Sequence, residues 1–282
     1  MNALSGCLLI NKRVGVTSRY EVNTVSRLLG EKKCGHIGTL DPFASGLLIV
    51  LVGSATKISP FLEKHDKTYI ATIKLGQKTD TGDLTGNVVE EKPVPALSKE
   101  DVEKALNSFL GESEQIPPMY SALKKDGKPL YKYARSGVEI KREPRKITVY
   151  DIKLITFGDD TVTFAARVSK GTYVRTLGED IADKLGTVGH LSELCRTMID
   201  SFNVKDAIAA EETSPDKLLS IEKMLENYPS ISLSEFDAKK ALNGVALKLP
   251  TNELQVLVKD KNGIIAMYQK EGNIYKCLRG LR

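Results

Sequence analysis

Leu47–Val52 is an unbroken run of six apolar residues, the longest in the chain. It is far short of the roughly 20 residues that cross a bilayer. At this length it suits a central strand, buried on both faces. Such a strand needs neighbours on each side, so it sets the core of the fold. The run follows Gly30–Gly46, a stretch rich in glycine and turn residues that contains Leu40-Asp41-Pro42. A loop anchored by a rigid strand is a common place for a functional side chain.

The other elements read from local patterns. Leu8–Ile10 is a short buried strand. Ser18 with Glu21 three residues on reads as a capping box, and Val22, Val25 and Leu29 follow at helical spacing until Gly30. Tyr69–Leu75 alternates, with Tyr69, Ala71, Ile73 and Leu75 on one face. Gln77–Gly86 reads as a polar loop. Ser98 and Asp101 open a helix whose Val102, Leu106, Phe109 and Leu110 face inward. Ile147–Phe157 and Thr161–Ser169 pair around Gly158-Asp159-Asp160. Val174–Leu185 is helical and Gly186 stops it. From about Asn227 short strands alternate with turns at Asn262-Gly263 and Glu271-Gly272. The expected fold class is α+β, with a mixed, largely antiparallel sheet flanked by helices and a small β-rich C-terminal unit. The expected division is residues 1–226 and 227–282.

Several function classes are excluded by what is missing. No G-x-G-x-x-G follows a strand, and there is no P-loop and no G-x-S-x-G. His36, His65 and His190 are not at metal-ligand spacing, and Cys7, Cys34, Cys195 and Cys277 are scattered, so no metal and no nucleotide cofactor is expected. The first 13 residues have no basic start and no apolar stretch of signal length, which gives a cytoplasmic, non-membrane reading with reduced thiols.

Charge is unevenly placed. Residues 120–146 hold nine Lys/Arg, Lys124, Lys132 and Arg135 among them, against three carboxylates. That surplus of six exceeds the net +5 of the whole chain. Tyr120, Tyr131 and Tyr133 interleave with these cations. Cations that neutralise phosphates beside aromatic rings that stack on bases suggest nucleic acid, although a solvated loop has the same composition. Asp41 is the most interesting carboxylate, but Asp before Pro is by itself a common turn initiator. His36 could contact phosphate. Ser169 to Thr176 ends a strand and opens a helix whose amides and hydroxyls could hold an anion, while Arg175 could pair with a carboxylate across the site.

Taken together, these stretches resemble the TruB family of tRNA pseudouridine synthases. Gly35-His36-Ile37-Gly38-Thr39-Leu40-Asp41-Pro42-Phe43-Ala44-Ser45-Gly46 is similar to that family's catalytic-aspartate motif. Lys67-Thr68-Tyr69 with Leu75-Gly76-Gln77-Lys78-Thr79-Asp80-Thr81 resembles its second motif, and Lys170 to Thr176 its third. Gly53 to Lys57, Gln115 to Ala122, and Gly189-His190 with Leu194 and Arg196 also match, in order, between about Gly6 and Arg196. Lys12-Arg13-Val14-Gly15 departs from the usual proline after the lysine. The C-terminal unit resembles a PUA-type RNA-binding appendage.

The resemblance implies a pseudouridine-synthase fold and isomerisation of uridine 55 in the T loop of tRNA. The base would be flipped out of the loop, detached at N1 and rejoined through C5. Asp41 takes the catalytic position, Arg175 pairs with it and lowers its pKa, and Tyr69 packs on the base and assists proton loss from C5. Leu194 lines the apolar side of the pocket. His36, Lys12, Lys57 and Tyr173 join the substrate-binding set with Lys124, Lys132 and Arg135. The T arm is the implied partner, with no protein partner required. Two other readings stay open: an RNA-binding or RNA-folding protein without catalysis, and a glycoside-cleaving enzyme with Asp80 or Asp83 as the second carboxylate.

Overall fold

The computed structural model describes residues 4–282. In chain order its elements are β1 (Gly6–Lys12), α1 (Ser18–Leu29), β2 (Cys34–Ile37), β3 (Ser45–Val52), α2 (Ser59–Leu62), β4 (Lys67–Leu75), β5 (Gln77–Thr79), β6 (Val88–Glu91), α3 (Lys99–Asn107) and β7 (Gly111–Gln115). There follow β8 (Lys124–Lys125), β9 (Lys128–Pro129), α4 (Leu130–Ala134), β10 (Arg145–Phe157), β11 (Thr161–Val168), α5 (Val174–Lys184), β12 (Gly189–Ile199) and β13 (Phe202–Asn203). The chain closes with α6 (Ile221–Met224), β14 (Ser230–Ser232), α7 (Glu235–Leu242), β15 (Gln255–Asp260), β16 (Gly263–Glu271) and β17 (Ile274–Gly280).

The large sheet runs β1-β3-β12-β4-β11-β10-β7, with β2 added to β3 and β13 to β12. Its pairings are antiparallel except β3 with β12. The C-terminal sheet runs β14-β15-β16-β17.

The two faces of β3 explain its apolar run. Leu48, Val50 and Val52 pack with Leu8 and Ile10 of β1 beneath Val22 and Val25 of α1. Leu47, Ile49 and Leu51 point the other way, into a cluster with Phe61 and Leu62 of α2 and with Leu257 and Met267 of the C-terminal sheet. A strand covered by a helix on one face and a second sheet on the other has no polar face to show. Further along the sheet, Ala71, Ile73 and Leu75 of β4 share a cluster with Val102 and Leu106 of α3 and with Leu177 and Ile181 of α5.

Local expectations mostly match, with informative exceptions. The box at α3 is present in full: Ser98 Oγ accepts from Asp101 N–H and Asp101 Oδ2 accepts from Ser98 N–H. At α1 the cap is Thr17, not Ser18: Thr17 Oγ1 accepts from Tyr20 N–H at 3.1 Å. Ser18 is buried and bonds across to Leu40. Gln77–Thr79 pairs with β6 as a strand, and Gln77 Nε2 donates to Glu91 Oε1 at 2.8 Å across the ladder. Leu110 is exposed, since α3 ends at Asn107 and the chain turns outward there. The C-terminal unit also contains a helix, α7, whose Ala238 and Ala241 pack on Val256 and Tyr268.

The basic segment leaves the sheet between β7 and β10 as an excursion of mostly exposed residues. Buried Leu130 anchors it, and Leu130 N–H donates to Leu123 C=O at 2.7 Å. Two of its three tyrosines are already covered by its own cations, Tyr133 by Lys128 at 4.3 Å and Tyr131 by Arg135 at 5.5 Å. All four cysteines are unpaired.

Candidate active site

The loop between β2 and β3 carries Asp41, and side chains from three elements hold it. Lys12 of β1 is fully buried beneath it, and its Nζ donates to Ala44 C=O at 2.6 Å and Pro42 C=O at 3.4 Å. Burial pushes the Lys12 amine down to about 8, opposed by the charges of Glu21 and Asp41. From β12, buried Arg196 donates through Nη2 to Gly38 C=O at 2.8 Å and through Nε to Leu47 C=O at 2.8 Å. From α1, Ser18 bonds both backbone groups of Leu40. At the loop's exit Gly46 has φ +102°, and a Cβ there would lie 2.3 Å from the Arg196 carbonyl oxygen. Only glycine lets β3 and β12 approach this closely.

Asp41 faces Arg175 of α5, with Oδ2 to Nε at 2.9 Å. The guanidinium is buried, and both of its terminal nitrogens are engaged as well. Nη1 donates to Thr81 C=O and Nη2 to Tyr120 C=O, both at 2.7 Å. Asp83 lies 3.7 Å from Nη1. A planar fork held at this many points has one orientation. Burial pushes the Asp41 carboxyl up from its ordinary value, even though 36% of the side chain still meets the cleft. Arg175 opposes that rise and Asp83 adds to it. Arg175 lowers the Asp41 pKa, as expected of an opposite charge, but burial outweighs it, so the pair restrains a rise that burial causes.

Above the pair opens a cleft of about 920 Å³. Tyr69, Leu194, His36 and Tyr173 line it together with Asp41 and Arg175. Burial, then the charges of Arg19 and Arg196, push the His36 imidazole down, so it meets a ligand as a neutral ring. Its Nδ1 is buried without a hydrogen-bond partner. The side chains of four cations on the cleft wall, Lys64, Arg145, Lys146 and Lys170, make no ion pair or hydrogen bond among the described residues. A second cavity of about 490 Å³ lies behind β1, between Leu9, Phe202 and Leu219, and holds none of these groups.

Other expected site residues lie elsewhere. Lys12 is under the loop, with its ammonium taken up by backbone carbonyls. Lys57 is outside the cleft and donates to the Arg282 carbonyl at 3.0 Å. Lys124, Lys132 and Arg135 are exposed on the excursion and do not line the cleft, to which that segment contributes the cations Arg145 and Lys146. The start of α5 is not a free anion nest, because Tyr173 N–H donates to Gln115 Oε1 at 2.8 Å.

Sequence reading gave Lys67 and Gln115 no site role of their own and weighed Asp83 only as a hydrolytic carboxylate. Asp83 is buried and does not open to the cleft, which removes it as a second hydrolytic carboxylate. Its Oδ1 accepts from Thr85 N–H at 2.9 Å and from the hydroxyls of Thr81 and Thr85. The threonine spacing around it was the available signal. Lys67 forms part of the wall and donates to Glu63 and His65 carbonyls; burial pushes it down to about 8. Among the described residues no group of three or more His, Cys, Asp or Glu is placed to hold a metal ion. No helix among them is long and apolar enough to cross a membrane.

The chain matches the model of the TruB family pseudouridylate synthase N-terminal domain over residues 26–174. It is 47% identical over 254 residues to the tRNA pseudouridine synthase B of Azoarcus sp. (strain BH72), covering 88% of this chain and 84% of that protein. It is 40% identical over 282 residues to the tRNA pseudouridine synthase B of Syntrophotalea carbinolica, covering 94% of this chain and 91% of that protein. A chain in the crystal structure of a Cbf5-Nop10-Gar1 complex superposes with a TM-score of 0.76 at 22% identity, covering 98% of this chain and 85% of that one, and so shares the fold. With more than half of its length in the family model and relatives this similar, the chain belongs to the TruB family of pseudouridylate synthases.

Proposed function

We propose that this protein isomerises uridine 55 in the T loop of tRNA to pseudouridine. The observation that carries the reading is the pair of Asp41 with buried Arg175 at 2.9 Å on the floor of a cleft walled by Tyr69 and Leu194. The curated relatives are named for tRNA, and the unpaired cations of the cleft wall suit an RNA backbone.

A uridine stacked in a folded loop is out of reach of a carboxylate below the surface. It is flipped out, at a cost of roughly a few kcal/mol. Phosphate contacts at Lys64, Arg145, Lys146 and Lys170 offset that cost, as does stacking on Tyr69. Lys124, Lys132 and Arg135 extend the same charge along the excursion. His36 contacts the flipped-out part of the loop as a neutral partner, and Tyr173 closes the wall near Arg175.

Asp41 acts as the carboxylate. Attack on ribose C1′, attack on base C6 and abstraction of a sugar proton all start from this ionised group. In each case the N1–C1′ bond breaks and a C5–C1′ bond forms. The C5 proton leaves, assisted by Tyr69, and N1 takes up a proton. Lys12 and Lys57 are reassigned by their positions: Lys12 orders the Asp41 loop, and Lys57 ties the C-terminal unit to residues 53–58. Residues 1–226 form the catalytic part and 227–282 a PUA-like RNA contact. The protein works in the cytoplasm on the T arm without a protein partner.

Tritium release from C5-labelled uridine in an unmodified tRNA transcript tests this reading. Wild type is expected to release tritium, while Asp41→Asn binds the RNA and releases none. Binding by both proteins without release from either would leave an RNA-binding role only. Release of free uracil would indicate a hydrolase.

A further inference from the structure

Gln115 is the last residue of β7, at the root of the basic excursion. It is 4% exposed, and both ends of its amide engage one residue. Its Oε1 accepts from Tyr173 N–H at 2.8 Å and its Nε2 donates to Tyr173 C=O at 3.1 Å. Tyr173 is the N-cap of α5 and has no side-chain cap of its own. Helices usually fix this position with a local Ser, Thr, Asp or Asn. Here the clamp comes from a strand 58 residues away in sequence. Arg175 follows two residues later, and its Nη2 donates to Tyr120 C=O, just beyond Gln115 on the excursion. One segment, Gln115 to Tyr120, therefore grips both the start of the helix and the guanidinium it carries.

We propose that Gln115 is a positioning residue for the catalytic pair: its amide fixes Tyr173 and the start of α5, so that Arg175 meets Asp41 while the root of the excursion is docked. This rests on the pseudouridine-synthase reading for its effect on rate, but not for its effect on the pair. The groups that face Asp41 are Arg175 from α5, Asp83 from the loop after β5 and Lys12 from β1, with Tyr173 close by. If Arg175 drifts, burial and Asp83 remain, and Asp41 holds its proton to higher pH.

The test uses the full chain, with wild type, Gln115→Leu, Gln115→Glu and Asp41→Asn side by side. The titration of Asp41 is followed by NMR of carboxylate-labelled protein, with Asp41→Asn assigning the resonance. Single-turnover tritium release is measured on saturating tRNA transcript. Gln115→Leu is expected to move the Asp41 titration upward and to slow release by about ten- to a hundredfold, as for a misplaced catalytic group. The dissociation constant for tRNA should stay within about twofold, because Gln115 does not line the cleft. Gln115→Glu keeps the acceptor for Tyr173 N–H and should recover part of both effects. An unmoved Asp41 titration in Gln115→Leu overturns the assignment, as does a rate loss that only follows weaker RNA binding. Should Gln115→Leu not fold, Gln115→Asn, whose shorter amide falls short of Tyr173, carries the same titration, and no displacement there overturns it. Wild type that releases no tritium sinks the proposed reaction, while a displaced titration still upholds the clamp.

Discussion

Ser18 and Leu40, 22 residues apart, are joined twice: Ser18 Oγ donates to Leu40 C=O at 3.0 Å and accepts from Leu40 N–H at 2.9 Å. The bonded residue is next to Asp41, so α1 acts as a fixed wall for the loop. Ser18→Ala would leave two buried backbone groups without partners, at a cost of roughly 1–3 kcal/mol. The expected outcome is a lower denaturation midpoint together with a rate loss in single-turnover release. RNA affinity should hold, since Ser18 does not line the cleft. Affinity falling in step with rate would show that the loop binds RNA instead of presenting Asp41.

Arg175 holds Asp41, Thr81 C=O and Tyr120 C=O with one planar group. A lysine ammonium keeps the charge but cannot span three acceptors in those directions. Arg175→Lys is therefore expected to slow turnover roughly a hundredfold or more, the scale seen when one preorganised polar contact is lost. Its KM for tRNA should change far less. Activity within a few-fold of wild type would mean that charge alone suffices and the fork geometry does not matter.

Asp41 also imposes a pH dependence on stability. Burial raises its carboxyl above the ordinary value of 3.8, so the folded chain keeps this proton to higher pH than the unfolded chain does. Stability then falls as pH rises from the unfolded to the folded value, and the full cost is in place above the latter. Asp41→Asn carries no charge at any pH. It should melt higher than wild type at neutral pH, with the gap closing as pH falls toward the ordinary value. Equal melting temperatures at neutral pH would show that Arg175 fully offsets burial.

Periodic features of this fold are legible in the amino-acid sequence: the two-faced burial of β3, the box at Ser98 and Asp101, and the β10–β11 hairpin each follow from spacing over a few residues. Asp41 is legible through the resemblance of residues 35–46 to a family motif, since by local pattern alone an Asp before Pro reads as a turn initiator. The support behind it is not. Ser18 looks like a cap, Lys12 like a substrate-binding cation and Gln115 like one more residue of a matched stretch. Each does its work across 22 to 58 residues of sequence. Local pattern carries no trace of such a partner, and burial of a lysine or glutamine is visible only once the sheet brings the partner to it.

Gly46 tests the close approach of β3 to β12. Its φ of +102° and the Arg196 carbonyl 2.3 Å from a built Cβ leave no room for alanine. Gly46→Ala should abolish folding or lower the melting temperature steeply, because rigid backbone is what the methyl would meet. Gly137, with φ +70° and nothing within 4 Å, is the control. Gly137→Ala carries only the left-handed backbone cost of about 1–2 kcal/mol. Similar losses in the two variants would argue against a packing role for Gly46.

Lys64, Arg145, Lys146 and Lys170 line the cleft with no protein partner among the described residues, whereas Lys57 donates to the Arg282 carbonyl outside it. Each phosphate contact releases condensed counterions, so log Kobs falls with log salt by roughly 0.7–0.9 per contact. Replacing Lys170 or Lys146 with alanine should reduce that slope by about one contact each. The loss should be similar for tRNAs of different sequence, since a phosphate contact reads no base. Lys57→Ala should leave the slope unchanged and instead lower thermal stability slightly, through its lost tie to Arg282. Filter binding over a salt series distinguishes these outcomes. A slope that falls for Lys57→Ala and not for Lys170→Ala would move the RNA path off the cleft and onto the C-terminal face.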